Sequence, residues 1–418
     1  MTLPETPPTF NPFEPEFAAN PYPQYQVLRE GAPVHRSLIG PWVLSRYADV
    51  VHVLRNPALS VEEENATRLE VDVELASVFG DDARGSRAML NLDPPDHDRL
   101  RRLVSKAFTP KMVESLRPEV ERLVDESIDA VVARGTGEMD LIADLAFPLP
   151  FTVISEMLGM PTGRRDELRT WSHAVVKTLD PILTIEEAQA AAAASDAMVA
   201  YVLEVIAMKR RDPGDDLLSG LIAAEEDGSM LDEQELLDQV MLLYIAGHET
   251  TVNLIGNGAH ALLQHRDQLA RLRDDPGLDQ NAVEELLRFD SPVQFSRRIA
   301  VTDFELRGEI IEAGSFVLTC LGAANHDPEQ WGDTAEELDL GRAGAAQHVS
   351  FGSGVHHCLG AALARVEGRA AFGALVRRFD DLELIEDEQA WNGRIVLRGL
   401  DTLPLAFARA VSSGSRSA

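Results

Sequence analysis

The sequence is poor in cysteine, in aromatic residues and in positive charge. Only Cys320 and Cys358 are present, which excludes a disulfide framework and predicts a reducing, cytoplasmic setting. There are 38 Lys and Arg against 69 Asp and Glu, a net charge of −31, which argues against nucleic acid or an anionic membrane surface as a partner. No apolar run reaches the roughly 20 residues that span a bilayer. Residues 1–13 lack the apolar core of a signal peptide.

The chain has enough apolar material for one large core. Hydrophobic residues make up 45% of its 418 residues, and no repeat or linker-like stretch divides them. Residues 1–410 are therefore predicted to form a single domain, followed by a disordered tail at 411–418. The apolar periodicity is mainly helical, with a few strand-like stretches. These predict a mainly α fold with a small β subdomain, the strands lying at 34–37, 42–45, 291–300 and 302–319 and in a terminal hairpin of 395–397 with 403–408.

The predicted helices surround one long central helix at residues 232–268, which would measure about 55 Å if continuous. The others that bear on function are predicted at 93–108, 141–158, 164–179, 185–211 and 281–289. Asp93 is expected to cap the first of these, with Pro94 and Pro95 in its opening turn.

The centre of the long helix reads Ala-Gly-His-Glu-Thr-Thr at 246–251. Gly and Thr are poor helix formers, so a local widening or kink is predicted there. An acid beside an alcohol within an apolar helix is costly unless it is used. A metalloprotease motif is excluded, because Val252 stands where the second histidine would be needed.

Residues 351–360, Phe-Gly-Ser-Gly-Val-His-His-Cys-Leu-Gly, place a cysteine at the start of a helix. Free N–H groups and the helix dipole favour a thiolate there, and glycines allow a flat cofactor to approach the backbone. A dinucleotide motif fails because His357 replaces its third glycine. A zinc site built on His356 and Cys358 lacks a second ligand pair. An inert packed cysteine remains an alternative.

The whole pattern at 351–360 resembles the haem-binding loop of the cytochrome P450 family. Phe351, Gly352, Gly354, His356, Cys358 and Gly360 all fall on motif positions, and the resemblance extends over nearly the whole chain. It implies the cytochrome P450 fold, haem b (iron protoporphyrin IX) as cofactor, and Cys358 as the axial ligand of the iron.

The resemblance also implies roles for individual residues. His97 and Arg101, four apart on one helix face, would pair with the haem propionates together with Arg298, although Arg297 is close enough to be mistaken for it. Without the resemblance, a solvated basic helix is the better explanation of His97 and Arg101, since Arg99, Arg102 and Lys106 lie nearby. The residues implied in each role are, for haem binding, His97, Arg101, Arg298, His356 and Cys358; for proton delivery, Glu249 and Thr250; and for a structural ion-pair triad, Glu285, Arg288 and Arg342.

Substrate contacts are implied at Leu90, Leu242, Ile245, Ala246, Val293, Gln294, Val396 and Leu397. These positions are mostly aliphatic, so the ligand is expected to be an apolar small molecule held by few polar groups. Whether it is a terpenoid, steroid, fatty acid or macrolide is left open.

The predicted activity is that of a monomeric haem-thiolate monooxygenase, an oxidoreductase of EC 1.14 type. It would hydroxylate or epoxidise its substrate with O₂ and with electrons from a ferredoxin and its NAD(P)H-dependent reductase. A peroxide-driven peroxygenase is one alternative, and a non-catalytic haem-based sensor or carrier is another. The two helices expected on the cysteine side carry Arg99, Arg101, Arg102, Lys106, Arg365 and Arg369. Some of these, Arg101 above all, are expected to turn inward to the propionates, and the others to form a basic island for an acidic ferredoxin. The alternative is that they only neutralise neighbouring acids such as Asp98 and Glu367.

Overall fold

The computed structural model describes residues 8–14, 16–38, 40–67, 86–226 and 229–410. The predicted tail at 411–418 lies outside these ranges, as does most of the irregular stretch predicted at 59–87. Helices make up most of the described chain. In chain order they are α1 Tyr22–Gly31, α2 Tyr47–Arg55, α3 Asp96–Ala107, α4 Pro110–Ser115, α5 Arg117–Arg134, α6 Pro148–Leu158, α7 Arg165–Val176, α8 Ile185–Arg211, α9 Leu217–Ala223, α10 Glu233–Gln264, α11 Arg266–Asp274, α12 Asp279–Phe289, α13 Leu321–Ala324, α14 Pro328–Trp331 and α15 Ala361–Arg378.

Helix α10 is the centre around which the others pack. It contacts α6, α8, α12 and α15, and most of its side chains are buried. Its start is fixed by a capping box, in which Asp232 accepts a hydrogen bond from the backbone of Glu235 and Glu235 accepts one in return. It remains α-helical through residues 246–251, where a local widening or kink is predicted.

The β subdomain is a five-stranded sheet beside the helices. Its strands are β1 Val34–Arg36, β2 Trp42–Leu44, β3 Leu59–Ser60, β7 Phe295–Ala300 and β10 Phe316–Cys320, in the order β1-β2-β10-β7-β3. The smaller sheets use β4 Glu138–Asp140, β5 Glu225–Glu226, β6 Ser229–Met230, β8 Phe304–Leu306, β9 Glu309–Ile311, β11 Phe379–Asp380, β12 Glu383–Leu384, β13 Pro404–Ala406 and β14 Arg409–Ala410. Cys320 is fully buried on β10, as its apolar strand predicts.

Three predictions about the elements are wrong for identifiable reasons. The Asp93 carboxylate does not cap α3, because it accepts hydrogen bonds from the Ser60 hydroxyl and the Val61 backbone instead. The central helix ends four residues earlier than predicted, where the extended backbone of His265 interrupts it. The terminal hairpin does not form, since β13 pairs with β4 and β12 while Leu397 bridges to Val293.

Helix α8 is alanine-rich, and by length and composition it is apolar enough to cross a bilayer. Of its most apolar window, 39% is buried, and it packs against α7 and α10. Core helices of folded domains share this composition. Within the described ranges no other helix meets the same criterion.

A buried ion-pair triad joins α12 to the segment that precedes the cysteine loop. Glu285 Oε2 accepts from Arg288 Nε at 2.8 Å, and Glu285 Oε1 accepts from Arg342 Nε at 3.0 Å. Arg288 is fully buried, and its remaining donors reach the backbone carbonyls of Asn325, Ala335 and Glu337. Every charge is therefore paired, the condition under which a buried ion pair is tolerated.

We predict that Glu285→Gln lowers the free energy of unfolding by about 3–5 kcal/mol, because it leaves two buried guanidinium groups without their shared anion. Equilibrium denaturation with urea measures the change. The matched control is Glu119→Gln, which removes the exposed partner of Arg122 and should cost less than about 1 kcal/mol. Equal losses in both variants would contradict a structural role for the triad.

Candidate active site

The loop that carries Cys358 is fixed against helix α2. Gly354 has a φ of 75°, and a Cβ at this position would lie 2.6 Å from the carbonyl oxygen of Leu54. Only glycine fits such a backbone conformation at such a short distance. Nearby, Arg55 donates from Nε to the Ser353 hydroxyl at 2.7 Å. The loop therefore lies directly on the C-terminal turn of α2.

The Cys358 thiol lies at the start of α15, which begins at Ala361. Burial raises the pKa of this thiol, while hydrogen bonds from the backbone of Gly360 and Ala361 and the nearby charges of Arg101 and Arg365 lower it. The residue nevertheless has accessible surface. Both observations are consistent with a thiol that faces an internal cleft, where protein surrounds it but does not cover it.

A carboxylate on α12 holds both ends of the cysteine loop. Glu284 accepts two hydrogen bonds from Arg365, at 2.6 and 3.0 Å, and one from His348 Nε2 at 3.2 Å. The other nitrogen of His348 accepts from the Ser350 backbone. These partners outweigh burial and lower the pKa of Glu284 to about 2, so the loop is anchored by an ionised carboxylate.

Basic side chains from three different elements converge near Cys358. The His97 and His356 rings lie 4.4 Å apart, and burial, assisted by Arg298, His97 and Arg101, lowers the pKa of His356 to about 3. Burial also lowers the pKa of Arg298 to about 10. Arg298 donates only to Ser296 and to the Arg297 carbonyl among the described residues.

Among the described residues, Asp98 is the one acid paired with this cluster. It contacts His97 Nδ1 at 2.8 Å, whereas the buried His97 Nε2 has no partner within the described chain. Arg101 donates to the carbonyl of His357. Arg297, the alternative to Arg298, points outward and pairs with Glu63. Arg101 and Arg298 pair with no carboxylate among the described residues, so they suit a ligand that bears carboxylates, and the two propionates of haem are such carboxylates.

Helix α10 places Glu249 and Thr250 in its middle, with different orientations. The Thr250 hydroxyl is partly exposed and donates to the carbonyl of Ala246 at 3.0 Å, so its oxygen can still accept a hydrogen bond. The Glu249 carboxylate is only 5% exposed and forms an ion pair with Arg394 at 3.2 Å. No hydrogen bond joins Glu249 to Thr250 in the structure as described.

The surroundings of Glu249 hold its carboxyl in the ionised form. Its Oε1 lies 3.6 Å from Nε2 of His173 on α7 and 3.7 Å from Nε2 of His248. Although burial opposes it, the contacts with His248, His173 and Arg394 lower the pKa of Glu249 to about 2.

Three buried or partly buried polar residues of this region, His173, Arg394 and Glu367, were not predicted from the sequence as site residues. His173 lies inside an ordinary amphipathic helix, and Arg394 lies in an irregular segment without periodicity. Glu367 on α15 is fully buried, neither of its oxygens has a geometric hydrogen-bond partner among the described residues, and burial raises its pKa to about 8. The sequence signal available for Glu367 was an acid at a helix position flanked by apolar residues.

The predicted substrate-contact residues occupy several elements. Leu242 and Ile245 pack partly buried against the main core, Ala246 and Leu90 are exposed, and Val293 bridges to Leu397.

Gln294 departs from its predicted role. Its side chain is buried and donates to the Ser291 carbonyl and to the Tyr22 hydroxyl, so it belongs to the core beneath the β subdomain. Its neighbour in space, Val396, is partly buried, and its backbone N–H donates to Asp180 Oδ1 at 2.8 Å. The N–H of Ile395 donates to the same oxygen, which ties the C-terminal segment to the chain that follows α7.

The expected basic island is smaller than predicted. Arg99 is turned toward Glu235 and Arg365 toward Glu284, so both charges are neutralised locally. Arg101 is committed to the His357 carbonyl. Of the remaining three, Arg102 and Lys106 are exposed and Arg369 is partly exposed.

Known proteins are similar to this chain over nearly its full length. The family model described as "Cytochrome P450" matches residues 72–275 and 278–395. Cytochrome P450 107B1 of Saccharopolyspora erythraea is 43% identical, with 94% of this chain and 96% of the relative covered. Cytochrome P450 monooxygenase PikC of Streptomyces venezuelae is 42% identical, with 96% and 94% covered. The solved structure of the Bacillus subtilis bacillaene polyketide synthase cytochrome P450 PksS is 37% identical, with a TM-score of 0.85 and 96% and 100% covered.

We predict that Glu284→Gln destabilises the fold by about 2–3 kcal/mol near neutral pH. The pKa of Glu284 is lowered from 4.5 to about 2, so its contribution is complete above the unfolded-state pKa and is lost as the pH falls through the folded-state pKa. The gap between wild type and variant should therefore narrow from about pH 5 to about pH 3. Urea denaturation across this range tests the prediction, with the exposed Glu167→Gln as control; a gap that stays constant with pH would contradict it.

Proposed function

The chain belongs to the cytochrome P450 family, and we propose that it hydroxylates or epoxidises an apolar, polyketide-like small molecule. The family makes it a haem-containing monooxygenase, an oxidoreductase of EC 1.14 type. The observation that supports a working catalyst best is the combination of an accessible Cys358 thiol with two nearby arginines, Arg101 and Arg298, that pair with no carboxylate among the described residues.

The residues present fit haem b. Cys358 would ligate the iron, and backbone N–H groups from Gly360 and Ala361 would stabilise its thiolate. His97, Arg101, Arg298 and His356 would hold the propionates, an assignment that the orphaned His97 Nε2 supports. When bound, haem with a thiolate ligand supplies the chemistry that reduces O₂ and inserts one oxygen atom into a C–H bond.

The protein's own part is to position the substrate and to deliver protons. Thr250 has an oxygen free to accept a hydrogen bond, so it would orient a water molecule beside the reacting oxygen. Glu249 lies one residue away and is the nearest acid in the sequence of α10, but its ion pair with Arg394 keeps it ionised. We therefore assign Thr250 to holding water and Glu249 to supplying protons through water or by rotation of its carboxylate.

The proposed substrate is a bulky apolar molecule. Gln294 is left out of the proposed contacts because its side chain is buried. The other proposed contact residues are all aliphatic: Leu90, Leu242, Ile245, Ala246, Val293, Val396 and Leu397. Such a lining selects by shape more than by polar contacts. The relative named for a polyketide synthase is similar over 96% of this chain, which favours a polyketide over the other classes.

The proposed electron donor is a ferredoxin with its NAD(P)H-dependent reductase. The chain is strongly acidic overall, so an acidic partner requires a local basic surface. Arg102 and Lys106 lie on α3, and Arg369 lies on α15, the two helices next to the cysteine loop. Local charges dominate close contact because screening acts over about 8 Å at physiological salt.

We predict that Cys358→Ser abolishes the red-shifted Soret band of the reduced carbon monoxide complex, because this band requires a thiolate ligand. Absorption spectra of haem-reconstituted protein measure it. Cys320→Ala removes the other cysteine, which is buried on β10, and should leave the band in place. A band that survives in the Cys358 variant would show that the ligand has been misassigned.

We predict that Thr250→Ala uncouples turnover, while Thr250→Ser retains coupling through its hydroxyl. The probes are a macrolide aglycone, testosterone and myristic acid, supplied with NADPH, ferredoxin and reductase. Product per NADPH should fall about tenfold or more in the alanine variant, with peroxide released instead, and peroxide-driven turnover should change little. Wild-type turnover that needs peroxide alone would support a peroxygenase, and unchanged coupling in Thr250→Ala would contradict the water-holding role.

A further inference from the structure

The contacts of Glu249 extend from the centre of α10 to the protein surface. Its Oε1 has no hydrogen-bond partner among the described residues, yet two imidazole Nε2 atoms lie just beyond hydrogen-bond distance, at 3.6 Å from His173 and 3.7 Å from His248. The His173 side chain is 38% exposed, whereas those of Glu249 and His248 are 5% and 0% exposed. His173 is thus the member of this group that meets solvent.

His248 is not in a position to exchange protons with solvent. Its Nδ1 donates to the Tyr244 carbonyl at 2.7 Å, and its ring is enclosed by the aromatic rings of Phe147, Phe151 and Tyr244. Its Nε2 has no partner within the described residues. It therefore lines the buried side of Glu249 and leaves His173 as the group that connects this carboxylate to the outside.

We propose that His173 is the group through which solvent protons reach Glu249 during turnover. This inference rests on the proposed function, because only a reaction that consumes protons at the buried site needs such a route. In the step, the Nε2–H bond of the His173 imidazolium breaks, its electron pair stays on nitrogen, and an O–H bond forms at Glu249 Oε1. Each cycle consumes one substrate molecule, one O₂, two electrons from the ferredoxin and two protons, and it returns the hydroxylated product and one water.

Arg394 fixes the geometry of this route. It binds Glu249 Oε2 through Nη1 at 3.2 Å and the backbone carbonyl of His173 through Nη2 at 3.4 Å. One guanidinium therefore spans α7 and α10 and leaves Oε1 directed at the two imidazoles. Because the contact is to a backbone carbonyl, replacing the His173 side chain leaves this bridge in place.

The charged groups around His173 shift its pKa in opposite directions. Burial lowers its pKa, and Arg394 and Arg169 lower it further, while Glu249 and Asp401 raise it. Glu249 is ionised at rest, so it can accept a proton whenever solvent protonates the imidazole. Glu249 then passes this proton to the water held by Thr250, and solvent protonates the imidazole again.

The test compares wild type with His173→Gln, which keeps the size and polarity of the side chain but cannot carry a proton. Turnover uses the probe that wild type converts fastest, with NADPH, ferredoxin and reductase, in H₂O and D₂O across a pH series. We expect the rate of product formation by the variant to fall about tenfold and its solvent isotope effect to rise. The high-pH side of its pH–rate profile should also change. Peroxide-driven turnover should be unchanged. His52→Gln, an exposed histidine on α2, serves as the control.

A second measurement tests the contact without turnover. In the diamagnetic ferrous carbon monoxide form, ¹⁵N NMR of labelled histidine follows the titration of His173, and Glu249→Gln should lower its pKa because the neighbouring negative charge is lost. The alkaline limb of wild-type turnover should match the His173 pKa measured in this way.

Failure of the inference is distinguishable from failure of the proposed function. If wild type is active and His173→Gln has the same product rate and the same solvent isotope effect, this route alone is overturned. The same holds if the pKa of His173 is unchanged in Glu249→Gln. A parallel loss of peroxide-driven turnover would show that His173 is merely structural and would also overturn it. Wild type that converts no probe under any driver would overturn both.

Discussion

Two adjacent carboxylates on one helix hold the segments around the site in place. Glu285 joins Arg288 and Arg342 in the buried triad, while Glu284 binds Arg365 and His348 on either side of the cysteine loop. Neighbouring residues on a helix diverge by about 100°, so α12 holds two separate parts of the chain at once. The thiol position therefore depends on how firmly α12 is packed between α10 and α15.

Charge is distributed unevenly between the two sides of the site. Near Cys358, Arg101 and Arg298 pair with no carboxylate among the described residues, which leaves their charge to an incoming carboxylate. Beside Thr250 the protein instead buries an anion, Glu249, and surrounds it with Arg394, His173 and His248. The first arrangement suits binding of an anionic group, and the second suits controlled movement of protons.

Most of the helices and the cysteine loop could be predicted from the sequence, because periodicity and glycine positions are local properties. Helix α8, predicted at 185–211, and strands β1 and β2, predicted at 34–37 and 42–45, were predicted correctly for this reason. The failures depend on partners distant in sequence. The Asp93 carboxylate accepts hydrogen bonds from Ser60 and Val61 instead of capping its own helix. Strand β13 pairs with β4 and β12, which lie elsewhere in the chain.

The same distinction applies to the site. Glu249 and Thr250 are visible as an unusual dipeptide within an apolar helix, but the ion pair that controls Glu249 comes from Arg394, 145 residues away. Likewise, Arg99 and Arg365 were expected to belong to a basic docking island, but buried glutamates neutralise both. Ion pairing over long sequence separations is set by packing, which no local pattern reports.

The contact of Gly354 with the Leu54 carbonyl has a consequence for engineering the chain. Because the cysteine loop lies directly on the C-terminal turn of α2, this helix supports the thiol even though it contributes no chemical group to it. Shortening the chain into α2, or inserting a fusion partner between β2 and α2, would therefore shift Cys358 itself, although the insertion lies about 300 residues away in the sequence.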